Sequence, residues 1–253
     1  MTTEALTSPA KPDVHLFQDL YTRFGKDLVE ARQFIAAECT NPEMRRQFDD
    51  LEAEALYLLL RATNPQTVVE ISPCDGWSTT WILQALADNK TGNLDSFDIH
   101  DNSTRFVPKV LTDRWNLHVG DVRSADVTIP ESIDFLLIDS KHTQGFAKWY
   151  LDEVLPKVTP GSPIVIHDIE SGLPMPGIPD TWTGVNLIGT EGWRVQKMLR
   201  QKQIGYYTLC NTLRSPSGFI NQNLAQLART GAGITNNFSG HTRNPAIFFF
   251  QTT

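Results

Sequence analysis

Two apolar runs near the middle of the chain end in groups that exchange protons. One closes as Phe-Leu-Leu-Ile-Asp139-Ser-Lys-His142, the other as Pro-Ile-Val-Ile-His167-Asp168. Imidazoles change charge near neutral pH, and carboxylates are acceptors throughout that range. Buried in a core without partners, such groups would lose their hydration uncompensated. If the two runs are neighbouring strands, Asp139, His142, His167 and Asp168 meet at one rim and read as a site.

A third run supplies a place for a ligand. Val68 to Ile71 is apolar apart from Glu70, a turn of small residues follows, and an amphipathic stretch opens at Ser78. That order predicts strand, turn, helix. In an open α/β sheet, the turn after the first strand faces the crevice where nucleotide-like ligands bind. A dinucleotide fingerprint wants glycines where Ser72, Cys74 and Trp77 stand, and Trp77 forbids close approach of helix to strand. S-adenosylmethionine has no pyrophosphate, and a hydrogen-bonding turn with acidic strand ends suits it better. The expected cofactor contacts are Glu70, Ser72, Gly76, Ser78, Asp98 and Asp121. Asp98 comes 22 residues after Gly76, about the interval at which an acid meets a ribose hydroxyl. Asp121 follows the third strand and either accepts from an adenine amino group or caps its own turn.

These residues need elements to position them. Residues 14–61 read as a helical cap: Phe17, Leu20, Tyr21 and Phe24 share one face, and a second helix opens near Pro42 and ends at Leu58 to Leu60. From Thr67 strands and helices alternate. Strands are expected at Asn93 to Asp98, Trp115 to Val119, Ile133 to Asp139, Pro163 to Asp168, Ile204 to Leu209 and Ala246 to Gln251. Helices are expected from Thr143 to Lys157 and from Glu191 to Gln203. The fold class is therefore α/β: a Rossmann-like, doubly wound, mostly parallel seven-stranded sheet with a helical N-terminal cap. The expected organisation is a disordered tail at 1–13, the cap at 14–61 and a cofactor-binding domain at 62–253. Within that domain, the Gly/Pro-rich segment 169–192 is a lid loop and 211–244 an insertion carrying a short helix from Phe219 to Leu227. Trp182, in the lid, is a candidate for stacking on a substrate ring.

Composition narrows the partners. The 253 residues are 40% hydrophobic and 20% charged, an ordinary globular profile. A net charge of -7 argues against a nucleic-acid backbone as partner, because such binding rests on clustered Lys and Arg. No apolar run approaches a membrane span and no signal core opens the chain, so a cytoplasmic protein with a small-molecule acceptor is expected. The cysteines, Cys39, Cys74 and Cys210, are far apart and odd in number, as reduced thiols are. Nothing fixes the number of subunits, which leaves room for a homo-oligomer.

Taken in order, the pieces carry a resemblance. Val-Glu-Ile-Ser-Pro-Cys-Asp-Gly-Trp-Ser-Thr ending at Thr79, Ser-Phe-Asp-Ile (96–99), Gly120-Asp121, Ile-Asp-Ser-Lys-His (138–142) and Ile-His-Asp (166–168) resemble the class I S-adenosylmethionine-dependent methyltransferases. The branch they look most like holds the macrolide-sugar O-methyltransferases, of the macrocin and mycinamicin type, and cephalosporin hydroxylase. The resemblance implies transfer of a methyl group to a hydroxyl of a small natural product or saccharide. It also implies a divalent metal held by Asp139, His167 and Asp168, with His142 as general base beside the catalytic Asp139. A hydroxyl is a poor nucleophile at neutral pH, and a Lewis acid with a base near pKa 6.5 corrects that. His167 stands where an acidic ligand is expected, which shifts the preference from Mg²⁺ toward a transition metal, or toward acid-base chemistry without metal. Two rival functions are a non-catalytic S-adenosylmethionine-binding protein and a nucleotide-dependent oxidoreductase, the latter disfavoured by Trp77.

Overall fold

The computed structural model describes residues 13, 15–48, 50–169, 191–208 and 246–252. The expected tail (apart from Asp13), nearly all of the lid loop with Trp182, the insertion with its short helix, Cys210 and His241 lie outside them. Helix α1 spans Leu16–Glu38 and α2 Asp50–Thr63. Strand β1 (Thr67–Ile71) leads to α3 (Trp77–Asn89), followed by β2 (Asn93–Asp98), β3 (Trp115–Val119) and β4 (Phe135–Ile138). Helix α4 (Gln144–Trp149), β5 (Pro163–Ile166), α5 (Glu191–Gln201), β6 (Tyr207–Thr208) and β7 (Ile247–Phe250) complete the described elements.

The strands form one seven-stranded sheet in the order β3-β2-β1-β4-β5-β7-β6. Strands β1 to β5 pair parallel, and β7 runs antiparallel to both β5 and β6. Order reverses on either side of β1, so the turn after it lies at the switch point where ligands bind such sheets. Strands β4 and β5 are buried along their whole length, which explains their unbroken Phe-Leu-Leu-Ile and Pro-Ile-Val-Ile sequences.

Alternate strand residues divide between two cores. Val68, Leu137, Val165 and Phe248 pack with α1, α2 and α3 on one face. Val69, Leu136, Ile138, Ile164, Ile166 and Phe249 pack with α4 and α5 on the other. The N-terminal helices are thus a layer of the fold covering a sheet face. In α2 every residue from Leu51 to Leu60 is buried, Glu52 and Glu54 included. Glu54 pairs with Arg32 of α1 and accepts from the Tyr21 hydroxyl at 2.7 Å. No helix among the described residues is long and apolar enough to cross a membrane.

Three of the boundaries that differ from expectation have an evident local cause. The second helix starts at Asp50 and not near Pro42. The Asn41 side chain takes the Glu43 amide and the Arg45 amide goes to Asp75, so the intervening backbone bonds elsewhere than in a helix. The helix expected to run to Lys157 is regular only to Trp149, then opens into a π turn at Tyr150–Val154 and a 3-10 turn at Leu155–Lys157. Pro156 is the cause, since it has no N–H and its ring collides with the carbonyl four residues back. Finally β5 stops at Ile166 because Asp168 takes a left-handed conformation, φ 55°.

Candidate active site

Backbone hydrogen bonds fasten the strand tips to one another. The Ser72 amide donates to Phe97 O at 2.7 Å, Gly120 to Asp98 O at 2.7 Å, Asp139 to Ile71 O at 3.1 Å and His167 to Ile138 O at 2.9 Å. The turn after β1, Asp98, Asp139 and His167-Asp168 therefore share one rim.

The turn itself is unusual. Ser72 (φ 67°), Cys74 (φ 52°) and Gly76 (φ 84°) are all left-handed. Ser72 holds the conformation that the first glycine of a fingerprint would adopt freely, at a cost of about 1–2 kcal/mol. Gly76 is held by packing as well: a Cβ there would lie 2.5 Å from Val107 Cγ2 and 3.1 Å from Ser103 Cβ. Underneath, Glu70 is buried and accepts from the hydroxyls of Ser78 (2.6 Å), Thr79 (2.7 Å) and Ser96 (2.8 Å). Burial raises its pKa to about 6 against the opposing pull of those hydroxyls. Glu70 and Ser78, expected to face the cofactor, are instead committed to each other and brace the turn from below.

Asp98 ends β2 with its carboxylate accepting the Cys74 amide at 3.0 Å and the His100 amide at 3.1 Å. It is 9% exposed, and the following Ile99 is 64% exposed, so an acid and an apolar surface adjoin at the rim. Asp121, expected either to meet an adenine amino group or to cap its own turn, is bonded within that turn. Its carboxylate is taken by Arg123, at 2.6 Å and 2.9 Å, and by the Arg123 amide at 3.0 Å. Those bonds hold its pKa down at about 2, and the turn-capping alternative describes it.

At the tips of β4 and β5, ligand atoms of Asp139, His142 and Asp168 lie within 4.8 Å of one another. His167, the other residue expected to serve as a ligand, stands beside this group. Its Nδ1 meets Asp139 Oδ1 at 3.1 Å, its Nε2 faces Glu52 Oε2 at 3.4 Å, and its ring packs on Phe48 with centroids 4.8 Å apart. With both nitrogens engaged by carboxylates it is a buried counter-ion. Burial alone would lower its pKa, but Asp139 and Glu52 hold it well above the ordinary value.

His142 is also more strongly held than a free base would be. Nδ1 meets Glu191 Oε2 at 2.8 Å and Nε2 lies 3.4 Å from Asp168 Oδ2. Burial opposes protonation, yet bonds to Asp168 and Glu191 lift its pKa to about 10. The expected base near 6.5 is thus an imidazolium at neutral pH. Burial would raise the Asp168 carboxyl, and the two imidazoles keep it low.

Three contributors escaped sequence reasoning. Glu191, at the start of α5, also accepts from the Tyr150 hydroxyl at 2.9 Å. Glu52 accepts the Ala246 amide at 2.6 Å besides facing His167. Arg45 forks onto buried Asp75 at 2.8 Å through both Nε and Nη2, tying the 39–48 segment to the turn after β1. A signal existed for Glu52, since a carboxylate inside the apolar run Leu51 to Leu60 needs a buried partner.

The donor set of Asp139, His142 and Asp168 fits a divalent cation. A donor set of two carboxylates and one imidazole suits a transition metal better than Mg²⁺.

Residues 69–169 match the sequence profile of a family described as Methyltransferase domain. No curated protein matches the sequence. Solved structures do share the fold. The O-methyltransferase TomG from Streptomyces achromogenes, involved in tomaymycin synthesis and complexed with S-adenosylmethionine, is 15% identical. The alignment covers 90% of this chain and 89% of TomG, with a TM-score of 0.53. A Podospora anserina methyltransferase with S-adenosylhomocysteine bound is 14% identical over 96% of this chain and 98% of its own, with a TM-score of 0.53. The O-methyltransferase from Bacillus cereus in complex with S-adenosylhomocysteine is 14% identical over 99% and 100%, with a TM-score of 0.51. Residues 69–169 are thus similar to a methyltransferase domain, and the strand order and these likenesses show that the chain has the fold seen in S-adenosylmethionine-dependent O-methyltransferases.

Proposed function

We propose that the protein moves the methyl group of S-adenosylmethionine onto a hydroxyl of a small natural product or saccharide. The observation that carries this reading is the fastening of the turn after β1 to the Asp139, His142 and Asp168 cluster through the Asp139–Ile71 and His167–Ile138 backbone bonds. A cofactor seated on the turn presents its sulfonium methyl beside groups that handle an acceptor's proton.

Each residue has a proposed part. Asp98 receives the ribose hydroxyls, with Ile99 as apolar support for the base, and the left-handed turn at Ser72 to Gly76 leaves room for the methionine portion. Glu70 and Ser78 keep that turn in shape. His142, backed by Glu191 at Nδ1, offers Nε2 to the cleft, the arrangement of an imidazole that trades protons while a carboxylate orients it. In the resting protein Nε2 carries a proton toward Asp168, so turnover requires that this proton leave first. The acceptor hydroxyl then loses its proton to His142 as its oxygen attacks the methyl carbon and the carbon–sulfur bond breaks, releasing S-adenosylhomocysteine. In a second mode, Asp139, Asp168 and His142 Nε2 would hold a divalent cation, His142 then acting as ligand and not as base, and the cation would supply Lewis-acid help in acidifying the acceptor hydroxyl. His167 and Glu52 position Asp139.

Incubation with methyl-labelled S-adenosylmethionine and a panel of glycosylated natural products and free saccharides tests the reading. Label appearing on an acceptor, and lost in His142→Ala while cofactor affinity persists, is the expected result. Cofactor binding without transfer to any member of the panel, with or without Mn²⁺, Fe²⁺ or Zn²⁺, would favour a non-catalytic binding protein.

A further inference from the structure

At the other end of the sheet lies a concave region. Gln251 follows β7, whose Phe250 pairs with Pro163, the first residue of β5, so this region sits away from the rim that carries Asp139 and Asp168. Here the π and 3-10 turns after α4 and one flank of α5 enclose a cleft of ≈ 730 Å³. That volume holds a small organic molecule.

The lining has a definite chemistry. Arg194, Lys197 and Lys202 face it in a chain whose net charge is -7, and the one acid among its lining residues, Asp152, is paired with Lys148. The buried Nε of Arg194 has no partner among the described residues. Gln251 is 7% exposed, donates from Nε2 to Leu155 O at 2.8 Å, and its buried Oε1 has no donor among the described residues. Orphaned buried polar atoms cost about 1–3 kcal/mol each when nothing meets them. Trp193 and Met198 supply the apolar wall, with Lys197 Nζ 5.1 Å from the Trp193 ring centroid.

We propose that this cleft is a binding site, separate from the methyl-transfer site, for a small amphipathic anion: a flat apolar body, one carboxylate- or sulfonate-type group for Arg194, Lys197 and Lys202, and an N–H or O–H for Gln251 Oε1. The ring stacks toward Trp193, the anion lies at the cationic flank, and the donor satisfies the amide oxygen. Because α5 begins at Glu191, which holds His142, an occupant here touches the same helix that orients the proposed base.

8-Anilinonaphthalene-1-sulfonate has all three features and is the probe, with uncharged N-phenyl-1-naphthylamine as its matched control. Fluorescence titration of the full-length protein is expected to show one saturable site with a Kd on the order of tens of micromolar. The neutral control and the exposed charge reversal Lys197→Glu/Lys202→Glu should each weaken binding about tenfold or more. Met198→Trp, which fills the cleft, should abolish it. Saturating S-adenosylhomocysteine should leave the titration unchanged. The proposal is overturned if binding is not saturable, if both variants bind as the parent does, or if S-adenosylhomocysteine displaces the probe.

Discussion

Replacing Glu52 tests whether the N-terminal helices belong to the site or merely cover the sheet. Its side chain is fully buried, Oε1 accepts the Ala246 amide at 2.6 Å, and Oε2 stands 3.4 Å from Nε2 of the buried His167. Glu52→Leu orphans an amide, worth about 1–3 kcal/mol, and leaves His167 with one carboxylate neighbour fewer. Breaking a buried ion pair from one side costs about 3–5 kcal/mol, and because the two losses overlap the expected total is about 3–5 kcal/mol. Glu52→Gln keeps an acceptor for Ala246 and removes only the charge, so about 1–3 kcal/mol is expected. Urea unfolding followed by circular dichroism at neutral pH measures both. The sign with pH is fixed by His167, whose folded pKa is raised above the ordinary value. Stability from the pair is fully present below about pH 6.5 and fades as pH climbs through the raised value, so parent and Glu52→Gln should converge in alkali. A Glu52→Leu protein within about 1 kcal/mol of the parent, or a gap that widens in alkali, would refute the reasoning.

Other perturbations separate the parts of the site. Gly76→Ala must place a Cβ 2.5 Å from Val107 at φ 84° and should lose about 2–4 kcal/mol, read by thermal unfolding. Ser72→Gly relieves a left-handed serine at φ 67° and should gain about 0.5–1 kcal/mol on the same assay. Methyl transfer by metal-free protein should rise with pH toward about 10, where His142 loses its proton, and a rate flat from pH 6 to 9 would remove His142 as base. Asp121→Asn should leave the calorimetric Kd for S-adenosylhomocysteine within about twofold, since Arg123 already holds that carboxylate.

What the sequence disclosed follows from period and punctuation. Runs such as Phe135 to Ile138 and Pro163 to Ile166 are apolar at every position because a parallel strand is covered on both faces, so the sheet and its rim were readable. Asp139, His142 and Asp168 were legible as a group because strand ends gather in this topology. The direction of His167 was not legible. Its neighbour Asp168 turns left-handed just past the strand, and its partner Glu52 lies on a helix more than a hundred residues earlier. Spacing along the chain carries no information about such meetings. Glu191 escaped for the same reason, arriving at His142 from 49 residues away beyond a Gly/Pro-rich stretch. Glu70 and Ser78 sit at the positions expected of cofactor contacts, but hydroxyls at Ser78, Thr79 and Ser96 turn the carboxylate inward.

Isothermal titration calorimetry with S-adenosylhomocysteine on the parent, Asp98→Ala and His142→Ala proteins bears most directly on the idea of one methyl-transfer pocket at the rim. One molecule per chain should bind the parent, about tenfold or more weaker to Asp98→Ala and nearly unchanged to His142→Ala. No binding to the parent, or loss in His142→Ala with Asp98→Ala unaffected, would contradict it.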